Sequence, residues 1–302
     1  MNRRTLVWGA AGLAASSFSA KTTFAKADVA QRRFYMPSPW GQLHVHEARP
    51  ADGSRGSKPA LVCFHQTSGS GKLYVPFLPY LATDRVAMAI DTPGYGASDG
   101  PAGEASIEAY VEAIASALDS LGFGSGEGGS VDVLGLLTGS IIAGELTLSR
   151  PDLVRRLILA QSPIMSADER TMMHDTMVEM LDANWREKGA GYYKDRLERI
   201  LKALGPEDSW ELAMEAYVET VLPGRAFMKG ELAAMRYPAV DRFPKITHPT
   251  LILSLGPDLK EQVMRGMDVM PKATLIEEPD LDRRMFRTDP AMLAPVIRGF
   301  LD

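Results

Sequence analysis

The stretch from Val131 to Leu146, VDVLGLLTGSIIAGEL, has the spacing of a site for nucleophilic chemistry. Gly135 and Gly139 bracket Leu136, Leu137 and Thr138, between a short apolar run and an amphipathic helical pattern. The outline G-x-S-x-G is a nucleophile elbow. In it a strained strand-to-helix turn exposes a nucleophile, and the helix N-terminus favours developing negative charge. The central position here is Leu137. A leucine has no proton to give up and no lone pair to attack with. Thr138 and Ser140 flank it with hydroxyls that suit the first turn of a helix.

Nucleophilic catalysis also needs a base and an acid to orient it. The histidines are His44, His46, His65, His174 and His248. His65 follows the apolar run ALVCF and titrates near neutrality, so it is the candidate for proton chemistry. Gln66 stands beside it. Asp258 follows the apolar run ending at Leu255 and is either the acid or the N-cap of a helix starting at Leu259. Asp91, in DTPGYG, reads as a turn residue. His44 and His46 share one strand face at i and i+2, but no third ligand is near in sequence. They read as residues of a solvated edge strand. No metal site and no cofactor motif is assigned.

Positioning these groups requires an alternating scaffold. ALVCF and RVAMAI (Arg85–Ile90) read as buried strands, and the Val131 run, RRLILA (Arg155–Ala160), the run from Pro249 to Leu255 and ATLIE (Ala273–Glu277) as further strands. Helical spacing lies between them, which implies a parallel sheet covered on both faces. Before them, Phe34–Met36 and Leu43–Val45 form two strands around a Pro37–Gly41 turn. The Gly-rich loop Gly122–Gly129 follows a helix and precedes a strand, the reverse of a dinucleotide site. Residues 165–245 lose the strand signal. There Met172, Met173, Met177, Met180 and Leu181 recur at helical spacing, which predicts the core of an inserted helical cap over an apolar pocket.

The 302 residues carry a net charge of −5, which argues against a nucleic-acid-binding surface. The single cysteine, Cys63, excludes a disulfide framework within the chain. Residues 1–27 read as a twin-arginine-type signal: Arg3-Arg4 before a weakly apolar stretch, then Ala25-Lys26-Ala27 as a small-x-small cleavage site. The expected location is the periplasm or outside the cell, and the export machinery is an expected partner. That segment holds four bases and no acid, so the remainder is more acidic still. The sequence sets no oligomeric state.

In this order, the His65 loop, the run Asp91-x-Pro93-Gly94-x-Gly96-x-Ser98-Asp99, the Gly135/Gly139 elbow, the helical insertion after Pro163 and the strand leading to Asp258 resemble the α/β-hydrolase superfamily. The likeness is to its capped members related to epoxide hydrolases and haloalkane dehalogenases. The resemblance implies an α/β-hydrolase core over residues 28–164 and 246–302 with the cap at 165–245. It implies a histidine in the loop after the last strand, and counting back from Asp289-Pro290 that position falls on or near Arg283. Arginine stays protonated at any workable pH and is no base.

Two of three triad members are therefore missing. The expectation is a small-molecule pocket bounded by Gln66, Leu137, Thr138 and Arg283, in a ligand-binding pseudo-hydrolase or a non-canonical enzyme. The alternative is a hydrolase or lyase acting on a small apolar or aromatic ester or carbonyl compound through His65, Asp258 and the oxyanion hole that the resemblance implies, formed by backbone N–H groups of the Gln66 region and Thr138.

Overall fold

The computed structural model describes residues 28–126, 128–183, 189–204 and 210–302. The signal-like segment 1–27 lies outside the described residues.

The apolar runs form strands of an eight-stranded sheet; the central ones are buried on both faces, while the last, ATLIE, lies at the edge and is partly exposed. The strands are β1 (Val29–Ser38), β2 (Gly41–Pro50), β3 (Leu61–Phe64), β4 (Ala87–Ile90), β5 (Val131–Leu136), β6 (Val154–Ala160), β7 (Thr250–Leu255) and β8 (Thr274–Glu278). Their order across the sheet is β1-β2-β4-β3-β5-β6-β7-β8. From β4 to β8 all neighbours are parallel, while β1, β2 and β4 pair antiparallel. Every residue of β3, β4, β5 and β7 is buried, as expected for strands covered by helices on both sides. This is the α/β-hydrolase fold.

Two clusters of buried apolar side chains lie on opposite faces. Val62, Phe64, Met88, Ile90 and Val133 join α2 (Ile107–Ser120) and α3 (Thr138–Ser149) on one face. Leu61, Cys63, Ala87, Ala89 and Leu134 join α1 (Leu78–Leu81) and the last helix, Pro290–Leu301, on the other. The alternation within each strand is the period-2 geometry of a pleated sheet.

α3 departs from the amphipathic helix expected of it. Thr138 through Thr147 are all buried. Glu145 on this helix survives burial because Arg242 donates to both of its oxygens at 2.7 Å and the Tyr237 hydroxyl also bonds it. A buried carboxylate is tolerated only with such partners. The pair ties the elbow helix to the chain that returns from the insertion.

Between β6 and β7 the described residues are helical: α4 (Ala167–Ala183), α5 (Ala190–Leu204), α6 (Trp210–Val221), α7 (Lys229–Arg236) and α8 (Ala239–Arg242). The methionines of α4 do not all form a core. Met172 is 60% exposed and Met180 49%, while Met173 and Met177 are half-buried. α4 lies along the rim and packs one side on α7, so only part of its apolar spacing is covered. Among the described residues no helix is long and apolar enough to cross a membrane.

The hairpin near the N-terminus also differs from expectation. β1 is the outer strand and pairs along the whole of β2, so β2 is not an edge. His44 and His46 are consequently buried, each with 7% of its surface exposed.

Candidate functional site

The turn between β5 and α3 has the geometry of an elbow. Leu137 adopts φ 51°, ψ −117°, in the positive-φ region that non-glycine residues rarely occupy. Holding a leucine there costs on the order of 1–3 kcal/mol and requires surroundings that over-determine it. The Leu137 N–H donates to the Ala160 carbonyl at 3.1 Å, and its carbonyl accepts from the Ser140 N–H at 2.9 Å and the Ser140 hydroxyl at 2.6 Å. The glycines are required by close approach. A Cβ on Gly139 would lie 2.1 Å from the Phe64 carbonyl oxygen, and one on Gly135 would lie 2.1 Å from that of Gly139. Strand β3 and the elbow therefore touch backbone to backbone. Thr138 is buried at the first helical position, and Ser140 also meets the Ser162 hydroxyl at 2.8 Å.

His65 leaves β3 beside this turn. Its Nδ1 donates to the Gln66 carbonyl at 2.8 Å, and its Nε2 accepts from the Thr92 N–H at 2.9 Å. These partners assign the neutral tautomer. Burial pushes the imidazole below its ordinary range, against the pull of the Asp91 charge. His65 thus clasps the loops after β3 and β4, and in this arrangement neither ring nitrogen is free to take a proton from a ligand. Gln66 is placed in the same loop, with its side-chain Oε1 buried and without a hydrogen-bond partner among the described residues.

Asp258 and Arg283 come together from the loops after β7 and β8. Arg283 Nη1 lies 3.8 Å from Asp258 Oδ2, and the two side chains are 46% and 74% exposed. An exposed pair at that distance contributes little. Asp258 does not cap the next helix. That helix, α9 (Lys260–Val269), starts after Leu259 in a left-handed conformation with no side-chain cap. Instead Gln161, itself at φ 46°, holds the loop: its Nε2 donates to the Asp258 carbonyl, and its Oε1 accepts from the Leu255 N–H at 2.7 Å. Sequence reasoning missed Gln161, whose only local signal is its place directly after an apolar strand.

The insertion closes over the His65 loop through Tyr95 of the DTPGYG run. The Tyr95 ring meets His65 edge-on at 6.2 Å, and its hydroxyl accepts from the Gly230 N–H at 2.8 Å. Next to Gly230 stands Glu231. Burial pushes its carboxyl up to about 7, and the nearby cations Arg196 and Arg283 only partly offset this. The Arg196 guanidinium lies 5.2 Å over the Phe227 ring, and its Nε is buried without a partner among the described residues. Thr92 Oγ1 is buried and unpartnered in the same sense. Glu231 and Arg196 carried no sequence signal, because each sits in an ordinary helical pattern.

A second group of chemistry-bearing residues lies beside the loop after β4. The pairing of Val45 with Ile90 sets Asp91 against His44, and the Asp91 N–H donates to the His44 carbonyl at 3.0 Å. His44 Nδ1 donates to Asp91 Oδ2 at 2.9 Å. The rings of His44 and His46 meet edge-on at 4.6 Å. Asp91 is thus more than a local turn residue, and it is the third ligand type that sequence separation concealed. His44, His46 and Asp91 offer ligand atoms within 4.8 Å of one another, so among the described residues they form a group that could hold a metal. Burial lowers His46 to about 4, with the Asp91 charge opposing.

Comparison with known proteins agrees with the fold. The chain is 26% identical over 103 residues to the (E)-2-((N-methylformamido)methylene)succinate hydrolase of Acinetobacter baylyi, covering 34% of this chain and 37% of that protein. It is 26% identical over 220 residues to the serine hydrolase-like protein of Danio rerio, covering 66% of this chain and 62% of that one. The matched segments thus span less than two thirds of either relative. Among solved structures, a hydrolase from Pseudomonas aeruginosa superposes with a TM-score of 0.69 at 18% identity, covering 89% of this chain and 98% of that one. A thermophilic esterase from Thermogutta terrifontis superposes with a TM-score of 0.69 at 17% identity, with the same coverage of both chains. At such identities these neighbours speak for the fold alone. Residues 61–296 match the profile of the Alpha/beta hydrolase family, and the chain belongs to that family.

Proposed function

We propose that this chain binds a small molecule at the elbow without forming an acyl-enzyme, as a family member whose triad has been dismantled. The observation that carries this is Leu137, held at φ 51°, ψ −117° with an apolar side chain where a nucleophile would stand. Arg283 supports the same reading, since it stands in the sequence where the resemblance calls for a histidine and a permanently charged guanidinium is no base. The reading in which His65 runs the chemistry loses support from its two backbone hydrogen bonds.

The ligand class follows from what lacks a partner. Buried polar groups are nearly always hydrogen-bonded, yet Gln66 Oε1, Thr92 Oγ1 and Arg196 Nε are not, among the described residues. Gln66 and Thr92 both bond His65 through their backbones, and Arg196 lies over Phe227 in the insertion. This set suits a small carbonyl- or carboxylate-bearing compound with an apolar or aromatic body. Following the Arg3-Arg4 pattern, we place the mature protein in the periplasm or outside the cell; fractionation and N-terminal sequencing of the exported form test that placement.

The test combines two readings on folded protein. A panel of small aromatic and aliphatic carboxylates and esters is screened by thermal shift, and each hit is recovered and quantified by mass spectrometry. The expected outcome is a raised Tm with the compound recovered intact, and loss of the shift in Arg196→Gln. Multiple-turnover consumption of a hit by the purified protein would overturn the reading.

A further inference from the structure

The cluster on β2 belongs to a cavity of about 690 Å³ that the elbow does not use. Its wall includes His44, His46, Ser70, Lys72, Asp91 and Glu219, the last from α6 in the insertion. The positions are fixed by the sheet. His44 and His46 alternate on one strand, so they share the face opposite Leu43 and Val45, and antiparallel pairing with β4 delivers Asp91 beside them. Two groups on β2 and one on the residue that follows β4 form a preorganised donor set rather than a flexible surface cluster.

Two observations point to an occupant. His46 Nε2 is buried and has no hydrogen-bond partner among the described residues. Leaving such an atom unmet costs about 1–3 kcal/mol. Asp91 meanwhile is oriented by backbone, since its Oδ1 accepts from the Gly71 N–H at 2.6 Å and its Oδ2 from the Ala97 N–H at 2.9 Å. A carboxylate held by outer hydrogen bonds is the usual condition of a metal ligand. The wall cations Arg33 and Lys72 are offset by the carboxylates of Asp91 and Glu219.

We propose that His44, His46 and Asp91 bind one divalent transition-metal ion of the zinc class, with its remaining coordination position open to the cavity. Two imidazoles and one carboxylate suit zinc better than magnesium or calcium, which prefer all-oxygen shells. Bonds of about 2.0–2.2 Å in a tetrahedral site set donor atoms roughly 3.3 Å apart. The His44–Asp91 contact at 2.9 Å must open by a few tenths of an ångström, and the widest separation, within 4.8 Å, must close. Ser70 and Glu219, joined by a 2.5 Å hydrogen bond, line the same cavity. The site stands apart from the elbow and does not rest on the reading of Leu137.

The test is a Zn²⁺ titration of the full mature protein after chelator treatment, followed calorimetrically, with Co²⁺ absorption as a second reading. The expected result is one ion per chain with Kd below about 1 μM. His46→Ala should weaken binding at least about tenfold, while a His174→Ala/His248→Ala variant should bind as the wild type does. Co²⁺ should give visible bands of tetrahedral intensity in the wild type. Should His46→Ala fail to fold, the wild-type Co²⁺ spectrum alone decides, and absence of those bands overturns the site. Weak wild-type binding, or equal binding by His46→Ala, overturns it as well.

Discussion

The elbow after β5 and the β2–β4 cluster belong to one sheet with β3 between them, and they treat chemistry in opposite ways. At the elbow the backbone is costly and specific while the side chain is inert: a leucine sits at positive φ, locked by Ser140 and Ala160. At the cluster the backbone is ordinary strand, and the side chains, two histidines and an aspartate, are buried against a cavity. Backbone strain of this kind is a mark of function only when the side chain it presents can act. The contrast teaches that shape and chemistry can part company within one fold, and that function must be argued from the site.

The largest effect should come from restoring chemistry to the elbow. If the architecture is intact, Leu137→Ser with Arg283→His should gain fluorophosphonate labelling and raise ester hydrolysis at least about 10²-fold over wild type. Either change alone should gain little, because such residues act as a unit. A folded double variant that stays inert would mean the elbow no longer presents its side chain as the backbone suggests.

Next in size is the backbone contact beneath it. Gly139→Ala places a methyl 2.1 Å from the Phe64 carbonyl and should cost about 3 kcal/mol in denaturant unfolding. A cost near zero would show that the elbow and β3 are not in contact.

Glu231 gives a smaller, pH-dependent effect. Its carboxyl rises from an ordinary 4.5 to about 7 in the fold. The folded state therefore holds the proton more tightly than the unfolded chain, and this contribution to stability is complete below about 4.5 and lost as pH rises through about 7. Glu231→Gln should match wild type near the lower value and exceed it by up to about 3 kcal/mol above the upper one. A difference independent of pH would remove Glu231 from the buried region.

Smallest should be Asp258→Asn, within about 0.5 kcal/mol, since its partner Arg283 is distant and both are exposed. A larger loss would make that pair a structural anchor.

These particulars also show what the sequence could carry. Continuous apolar runs marked the central strands, because a doubly covered strand needs apolar side chains on both faces. The elbow was legible through Gly135 and Gly139, whose need is local. The His44–His46–Asp91 group was not, since its members are 47 residues apart at the His44–Asp91 contact and meet only through strand pairing. Arg196 and Glu231 were hidden for a related reason. Helical spacing shows that a face is polar, and only tertiary packing decides that this face is buried. Met172 and Met180 erred the other way, as apolar spacing left uncovered at a rim.

One measurement bears most directly on the elbow. Folded wild-type protein is treated with a fluorophosphonate and its intact mass is read. An elbow kept as architecture, with Leu137 at its apex, leaves the mass unchanged at saturating probe. A single stoichiometric adduct would place a reactive nucleophile in the chain and contradict it.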